Sequence, residues 1–551
     1  MTKLPSRRAL LRGAAATASL LGAGTTVPAA AQGRGARRRS QAGGVIAENP
    51  ARRAAEAFRT RITVARDLFA SGRARQEANG DEARYDDLRA VFAKTLPHDA
   101  LGEPDRAAYR TLTDALKRNT DRAYEQITLD QTVRTRKLAN PQAAFAVGLT
   151  GFDGQASRMP AAPAFASEET AGEMVELYWK AQLRDVPFAR FGTDARVARA
   201  AAEIAAHPAP AGGATGVADV FRGETAGDRT GPFVSQFLLR EVPYGNGSIT
   251  QRYPNPTRRQ DFMTGYDEWL TVQRGGVVSA TEKRGARYVY DGRSLAEYVH
   301  VDFTYQAYLN AALILLGLGP DFTDQGSPAR TRTTTGTFVT FGAADVVDVV
   351  SRAANQALHA AWFQKWCVHR RLRPETYGGR LHNQLRGAKD YDIPESLAGS
   401  EAVKRTLRRQ GTALLSMAYP EGSPTHPAYP AGHATVAGAC CTVLKAFFDE
   451  DMAMPNPVTA NENGTGLLEV ADRLTVGGEI DKLASNVTLG RDWAGVHYRS
   501  DGIEGLHVGE TCAIGLLRDH AATYSTDFGG FTFRRFDGTR VRVTAHGAAS
   551  V

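Results

Sequence analysis

Cysteine is scarce in this sequence, and Cys367, Cys440, Cys441 and Cys512 make no Cys-x-x-Cys pair. Zinc ribbons and disulfide-stapled frameworks are therefore not signalled, and the adjacent Cys440 and Cys441 are poorly placed to bridge one another. They read mostly as buried thiols. Long apolar runs are missing beyond the N-terminal region, so no later segment is built to span a membrane. A basic surplus is missing from the body of the chain as well. The formal charge is +8, but residues 1–39 carry Lys3, Arg7, Arg8, Arg12, Arg34, Arg37, Arg38 and Arg39 with no acidic residue, which leaves the remainder neutral. A nucleic-acid partner is not indicated, because such binders keep their positive charge on the folded domain.

What is present begins with an export pattern. Ser6-Arg7-Arg8 opens a basic segment, an Ala/Leu/Gly stretch follows, and Ala29-Ala30-Ala31 precedes Gln32. This predicts a twin-arginine signal over residues 1–31, export of an already folded protein, and a periplasmic or extracellular location. Residues 32–45 are Gly/Arg/Ser/Gln-rich and read as a flexible linker. One large unit is expected over 46–551.

That unit is predicted to be mainly α. Apolar residues recur at helical spacing over 51–69, 105–117, 171–183, 194–205, 295–316, 343–372, 402–417 and 434–448. Strand-like alternation suggests only minor β-hairpins, at 143–151 and at 531–543 around Asp537-Gly538. Pro/Gly-rich stretches at 206–232 and 251–258 read as loops, and there is no internal repeat.

Three segments between 354 and 510 carry the chemistry. In the first, Ala354, Leu358, Ala361, Trp362 and Lys365 share one helical stripe, so the Lys365 ammonium points along an apolar face and needs an anion if buried. Pro374 disfavours helical backbone at Arg373, which is expected at a helix end with its guanidinium turned toward the same anion. The second segment, Ser423 to Thr435, is a proline-stiffened loop leading through Gly432 and His433 into a helix of small residues. Free N–H groups at that helix start, and a glycine admitting close approach, suit an oxyanion. In the third, Asp501 lies four residues after His497. It is placed to accept a proton from one imidazole nitrogen and leave the other as a lone-pair donor, while Arg491 supplies a planar charged fork.

Two arginines, a lysine, a Gly-His helix start and an Arg/His/Asp segment together suit a tetrahedral or trigonal-bipyramidal oxyanion held at a histidine. In this order they resemble the signatures of the vanadium haloperoxidase and class A acid phosphatase superfamily, whose fold implies two four-helix bundles. The closer resemblance is to the algal and bacterial bromoperoxidase branch. Seven residues separate Lys365 from Arg373, as in that branch, where the phosphatases usually have six. Lys137 to Gln142, Tyr178-Trp179, Leu183 to Phe188, Gly231 to Phe237 and Asp261 to Trp269 extend the likeness over about residues 50–520.

The resemblance implies an orthovanadate cofactor with His497 as its metal ligand. Lys365, Arg373, Arg491 and the Gly432 backbone would hold its oxygens, and His433 would handle protons. It further implies oxidation of halide by hydrogen peroxide to a hypohalous acid equivalent that halogenates an organic acceptor, with the metal acting as a Lewis acid. A homo-oligomer is expected on the same ground.

Two departures stand out. Ala431 replaces the serine that commonly precedes Gly-His, removing a hydroxyl worth roughly 1.5–3 kcal/mol to an oxyanion. Trp362 is the residue of chloroperoxidases, whereas His426 is the bromoperoxidase choice, so bromide and iodide are favoured with chloride left open. Two other readings use the same residues: an exported acid phosphatase, and a non-catalytic oxyanion-binding protein.

Overall fold

Helices account for nearly half of the residues described in this computed structural model, which covers 50–70, 74–208, 216–278 and 280–551. The expected leader (1–31) and linker (32–45) lie outside the described residues. Residues 59–551 form one compact unit. Among the described residues no helix is long and apolar enough to cross a membrane.

Several helices begin where the sequence supplies a cap. Asp105 accepts the Ala108 N–H at 2.7 Å at the head of Arg106–Arg118. Ser167 and Asp194 cap Glu168–Leu183 and Ala195–Ile204 in the same way, each satisfying an N–H that the helix itself cannot pair. The helix Ala343–Phe363 packs with Gly432–Phe447, Val476–Trp493 and Arg499–Ala521 into a four-helix bundle that carries the site.

Glycine sets how closely two of these helices cross. A Cβ on Gly438 would lie 2.1 Å from the Leu506 carbonyl oxygen, and one on Gly509 would lie 2.0 Å from that of Thr435. No side chain fits at either position. The close crossing lets the Ala431 N–H donate to the Asp501 carbonyl oxygen at 2.8 Å, which joins the glycine-histidine helix start to the histidine-aspartate segment.

Sheets are small. Val242–Tyr244 pairs with Gly247–Ile249, and Val458–Ala460 with Leu467–Glu469, both antiparallel. The expected C-terminal hairpin forms from Phe531–Arg534 and Arg540–Thr544, and a third strand, Gly547–Ser550, extends it.

Four expectations are corrected. The 143–151 region is a 3-10 turn, Pro141–Phe145, followed by loop; the Gly151 N–H and Thr150 carbonyl bond to Asp519 and Gln356 side chains and not to a facing strand. Tyr253–Pro256, expected as loop, pairs with Lys283–Arg287 through a bulge after Pro254. The helix expected over 402–417 is Glu401–Gln410, closed by Gly411 at φ +73° with its N–H on the Leu407 carbonyl. The helix expected over 295–316 is two, Gly292–Tyr298 and Gln306–Leu318. Tertiary contacts of the intervening residues, described next, outcompete continuation of that helix.

Candidate active site

The helix expected to run from 343 to 372 ends at Phe363 and gives way to a π-helical turn, Gln364–His369, after which Arg370 adopts φ +38°. Such a wide turn is a common mark of functional segments. Arg373, as the following proline requires, is extended (φ −84°, ψ 153°), but it opens the next helix, Pro374–Leu385, and does not close the long one.

Lys365 and Arg373 are both fully buried, which excludes a snorkelling lysine and a surface ion pair. Lys365 Nζ donates to the carbonyl oxygens of Pro427 (2.7 Å) and Ala428 (2.8 Å). Arg373 Nε donates to the His426 carbonyl (2.9 Å) and Nη1 to that of Val496 (2.7 Å). Its Nη1 also reaches His497 Nε2 at 2.9 Å, and Nη2 reaches His426 Nδ1 at 3.0 Å. Arg491, again buried, donates from Nη1 to the Val299 carbonyl at 2.6 Å and lies 3.4 Å from the Tyr419 hydroxyl. Its Nε is buried with no partner.

Three buried basic side chains thus converge with only neutral partners bonded to them. The energetic consequence is visible in the ionisation of Lys365 and Arg373. Burial, followed by the nearby Arg373 and Arg491 charges, pushes Lys365 well below the ordinary lysine range, with Asp501 only partly opposing. Burial brings Arg373 down to about 9. An oxyanion among them would restore the charged forms and supply an acceptor for the orphaned Arg491 Nε. The donor set therefore fits an oxyanion and would repel a bare metal cation.

His497 is arranged as a lone-pair donor. Its Nδ1 lies 2.8 Å from Asp501 Oδ2, which also accepts the Tyr498 N–H at 3.1 Å. Burial, then Arg373, Lys365 and Arg491, hold the imidazole pKa well below its usual value, so the ring is neutral. With Nδ1–H donating to Asp501, Nε2 keeps its lone pair and faces Arg373. Asp501 is fixed in turn by Arg371, whose Nη1 reaches Oδ1 at 2.9 Å while Nη2 reaches Glu173 Oε2 at 2.9 Å. The Arg371 guanidinium also stacks 3.8 Å from the Tyr498 ring centroid.

Gly432 begins the helix Gly432–Phe447, with Ala431 at the cap position and no side-chain cap. A Cβ on Gly432 would come within 3.3 Å of Trp362 Cζ3 and 3.7 Å of Leu358 Cδ2, so the apolar stripe of the preceding helix flanks the free N–H groups. Trp362 is half-buried, donates its Nε1–H to the Ala139 carbonyl at 3.0 Å, and lies 4.8 Å from the His426 ring. It therefore belongs to the site wall as well as to the apolar cluster around Trp366. His433, with a third of its side chain exposed, places Nε2 3.0 Å from Asp302 Oδ1.

All ten candidate residues thus fall in one region. Sequence reading missed their supports: Arg371, Glu173, Tyr419, Val299 and Asp302. Arg371 lay unremarked beside Arg370 in a segment already singled out. Asp302, 131 residues from His433, carried no local signal.

The chain is similar over most of its length to proteins of known kind. Residues 346–524 match the family model of the VCPO second helical-bundle domain. A vanadium-dependent bromoperoxidase of Ascophyllum nodosum is 35% identical, covering 91% of this chain and 94% of its own. One from Corallina pilulifera is 32% identical over 91% of this chain and its entire length. The homohexameric structure of a second vanadate-dependent bromoperoxidase from A. nodosum superimposes with a TM-score of 0.86 at 29% identity, covering 96% of this chain and 95% of that one. The chain belongs to the vanadium-dependent bromoperoxidases.

Proposed function

We propose that this protein is a vanadate-dependent haloperoxidase that uses hydrogen peroxide to oxidise bromide or iodide, with chloride as a poorer substrate, and so halogenates organic acceptors. The observation that carries this reading is a neutral histidine, its lone pair free of Asp501, among three buried cations that lack a carboxylate partner.

Orthovanadate would be held by His497 Nε2, with Lys365, Arg373, Arg491 and the Gly432 N–H on its oxygens. Bound there, vanadium supplies Lewis acidity toward peroxide without changing oxidation state. The chain's own residues supply charge, position and protons. The three cations balance the negative oxygens in a site where water does not screen them. Asp501 fixes the tautomer of His497 and Arg371 fixes Asp501. Asp302 accepts a hydrogen bond from His433 Nε2–H, which leaves Nδ1 to give or receive the proton that halide oxidation consumes. His426, against Trp362 and held neutral by burial and the Lys365 and Arg373 charges, forms a wall that a soft anion can approach without meeting a carboxylate.

The same reading extends to the whole chain. A leader over 1–31 and a linker over 32–45 would deliver the folded domain, 46–551, to the periplasm or the medium by the twin-arginine route. The homohexameric state of the A. nodosum relative supports a homo-oligomer.

The test is bromination of a phenol reporter with peroxide and bromide, before and after vanadate is added to protein stripped of metal. No vanadate-dependent turnover would end this reading. Fractionation of an expressing culture and light scattering on the mature protein test location and assembly.

A further inference from the structure

The break between the helices Gly292–Tyr298 and Gln306–Leu318 places three consecutive functions in four residues. Val299 offers its carbonyl to Arg491, Asp302 holds His433, and His300 lies between them. The His300 ring stacks on Tyr419 with centroids 3.8 Å apart and planes 6° apart. Tyr419 is itself 3.4 Å from Arg491 Nη1 through its hydroxyl, which donates to the Ala296 carbonyl at 2.6 Å. His300 Nε2 bonds Glu421 Oε1 at 2.6 Å, and its Nδ1 lies 3.5 Å from Glu297 Oε2.

Glu421 lies two residues before the proline-stiffened loop. The entry to that loop is pinned by the buried Lys94, whose Nζ donates to the carbonyls of Glu421 (3.0 Å) and Ser423 (2.7 Å), and by the half-buried Arg136, whose Nη2 donates to that of Glu421 (2.8 Å). His300 therefore ties the segment that serves Arg491 and His433 to the loop that ends in Gly432.

We propose that His300 is a positioning residue which, when protonated, clamps Tyr419 against Arg491 and strengthens oxyanion binding, and which releases that hold when it loses its proton. This rests on the oxyanion reading of the site. The charged and titratable groups around it are Glu297 on the preceding helix, Tyr419 and Glu421 just before the loop, Lys283 bonded to Glu297, Arg136 behind Glu421, Arg491 beyond Tyr419, and Asp302, two residues on, with its partner His433. Burial alone would lower the imidazole pKa, but the adjacent Glu297 and Glu421 carboxylates outweigh it and raise it. The cationic form consequently persists at and below the ordinary histidine range and is lost as pH rises through the raised value. A stack alone would hold Tyr419 at every pH; two carboxylates around the ring make the hold depend on its proton.

The test uses tungstate, a tetrahedral dianion of constant charge, with affinity measured by calorimetry on the full protein from pH about 5.5 to about 9. His300→Phe keeps the stack and removes the charge; His300→Lys keeps the charge at all these pH values. At the acid end His300→Phe should bind roughly tenfold more weakly than the parent, a gap of the size one nearby charge produces. The gap should close as the parent imidazole deprotonates. His300→Lys should match the parent in acid and exceed it above the transition. Parent and His300→Phe curves that superimpose, or a gap constant with pH, would overturn the clamp while leaving the cage intact. A parent that binds neither tungstate nor vanadate would overturn the cage, and the clamp with it. His300→Gln, neutral but able to bond Glu421, should follow His300→Phe if charge is what acts.

Discussion

Asp501 Oδ2 sits 2.8 Å from Nδ1 of His497, one helical turn earlier, and the same carboxylate receives Arg371 on its other oxygen at 2.9 Å. One buried acid thus fixes the imidazole tautomer and is itself fixed by a guanidinium. Asp501→Asn keeps the shape and removes the charge. Loss of such a support to a metal-binding histidine costs about 10- to 100-fold in affinity. Calorimetric titration with vanadate should show a fall of that order, and an unchanged affinity would remove Asp501 from the scheme.

Arg371 answers two buried carboxylates, Glu173 and Asp501, and stacks on Tyr498. Arg371→Met should destabilise the protein by about 3–5 kcal/mol, because both acids are left buried and uncompensated. Urea denaturation gives the number. A loss under about 1 kcal/mol would mean that the carboxylates find other partners.

Ala431 is fully buried at the head of the Gly432–Phe447 helix, with φ −69° and ψ 123°, a conformation serine adopts without strain. Ala431→Ser should tighten vanadate binding by about one to two decades through a new hydroxyl contact. Without an oxyanion the same hydroxyl can cap the helix, for about 1 kcal/mol of stability. Paired melts and titrations on one variant separate the two effects, and a variant unchanged in both shows a hydroxyl turned away from the site.

Lys365 and Arg373 have folded pKa values below their unfolded ones, the latter at about 9. Across the window between folded and unfolded values the unfolded chain holds more protons, so the anion-free protein gains stability as pH rises through it. A bound dianion keeps both groups charged and cancels that gain. The rise in Tm on adding saturating tungstate should be largest near neutral pH and shrink as pH approaches about 9. A rise that grows with pH would contradict the assignment of charge.

The site was legible because its residues sit in three short segments whose local rules are strong. Pro374 forces Arg373 out of helical backbone, Gly432 marks a helix start, and a four-residue step sets Asp501 under His497. The bundle helices Val476–Trp493 and Arg499–Ala521 were not foreseen. They are buried on most faces and rich in glycine, serine and threonine, so the apolar periodicity that marks a half-exposed helix is missing. The break at 299–305 was hidden for a different reason. Its residues carry a helical pattern, and only contacts with Arg491 and His433, far along the chain, favour leaving it. Likewise the 143–151 region alternates as a hairpin would, yet has no second strand to meet.

In mechanical terms the three cations make the bundle a prestressed arch. Lys365 lies in the π-helical turn and Arg373 just beyond it, Arg491 is in the last turn of another helix, and the Gly432 N–H heads a third, so their repulsion is borne by backbone carbonyls of distant segments. The oxyanion is then a keystone as much as a reagent. Seating it should lock amides against exchange in three helices that share no sequence neighbourhood, and withdrawing it should loosen all three together.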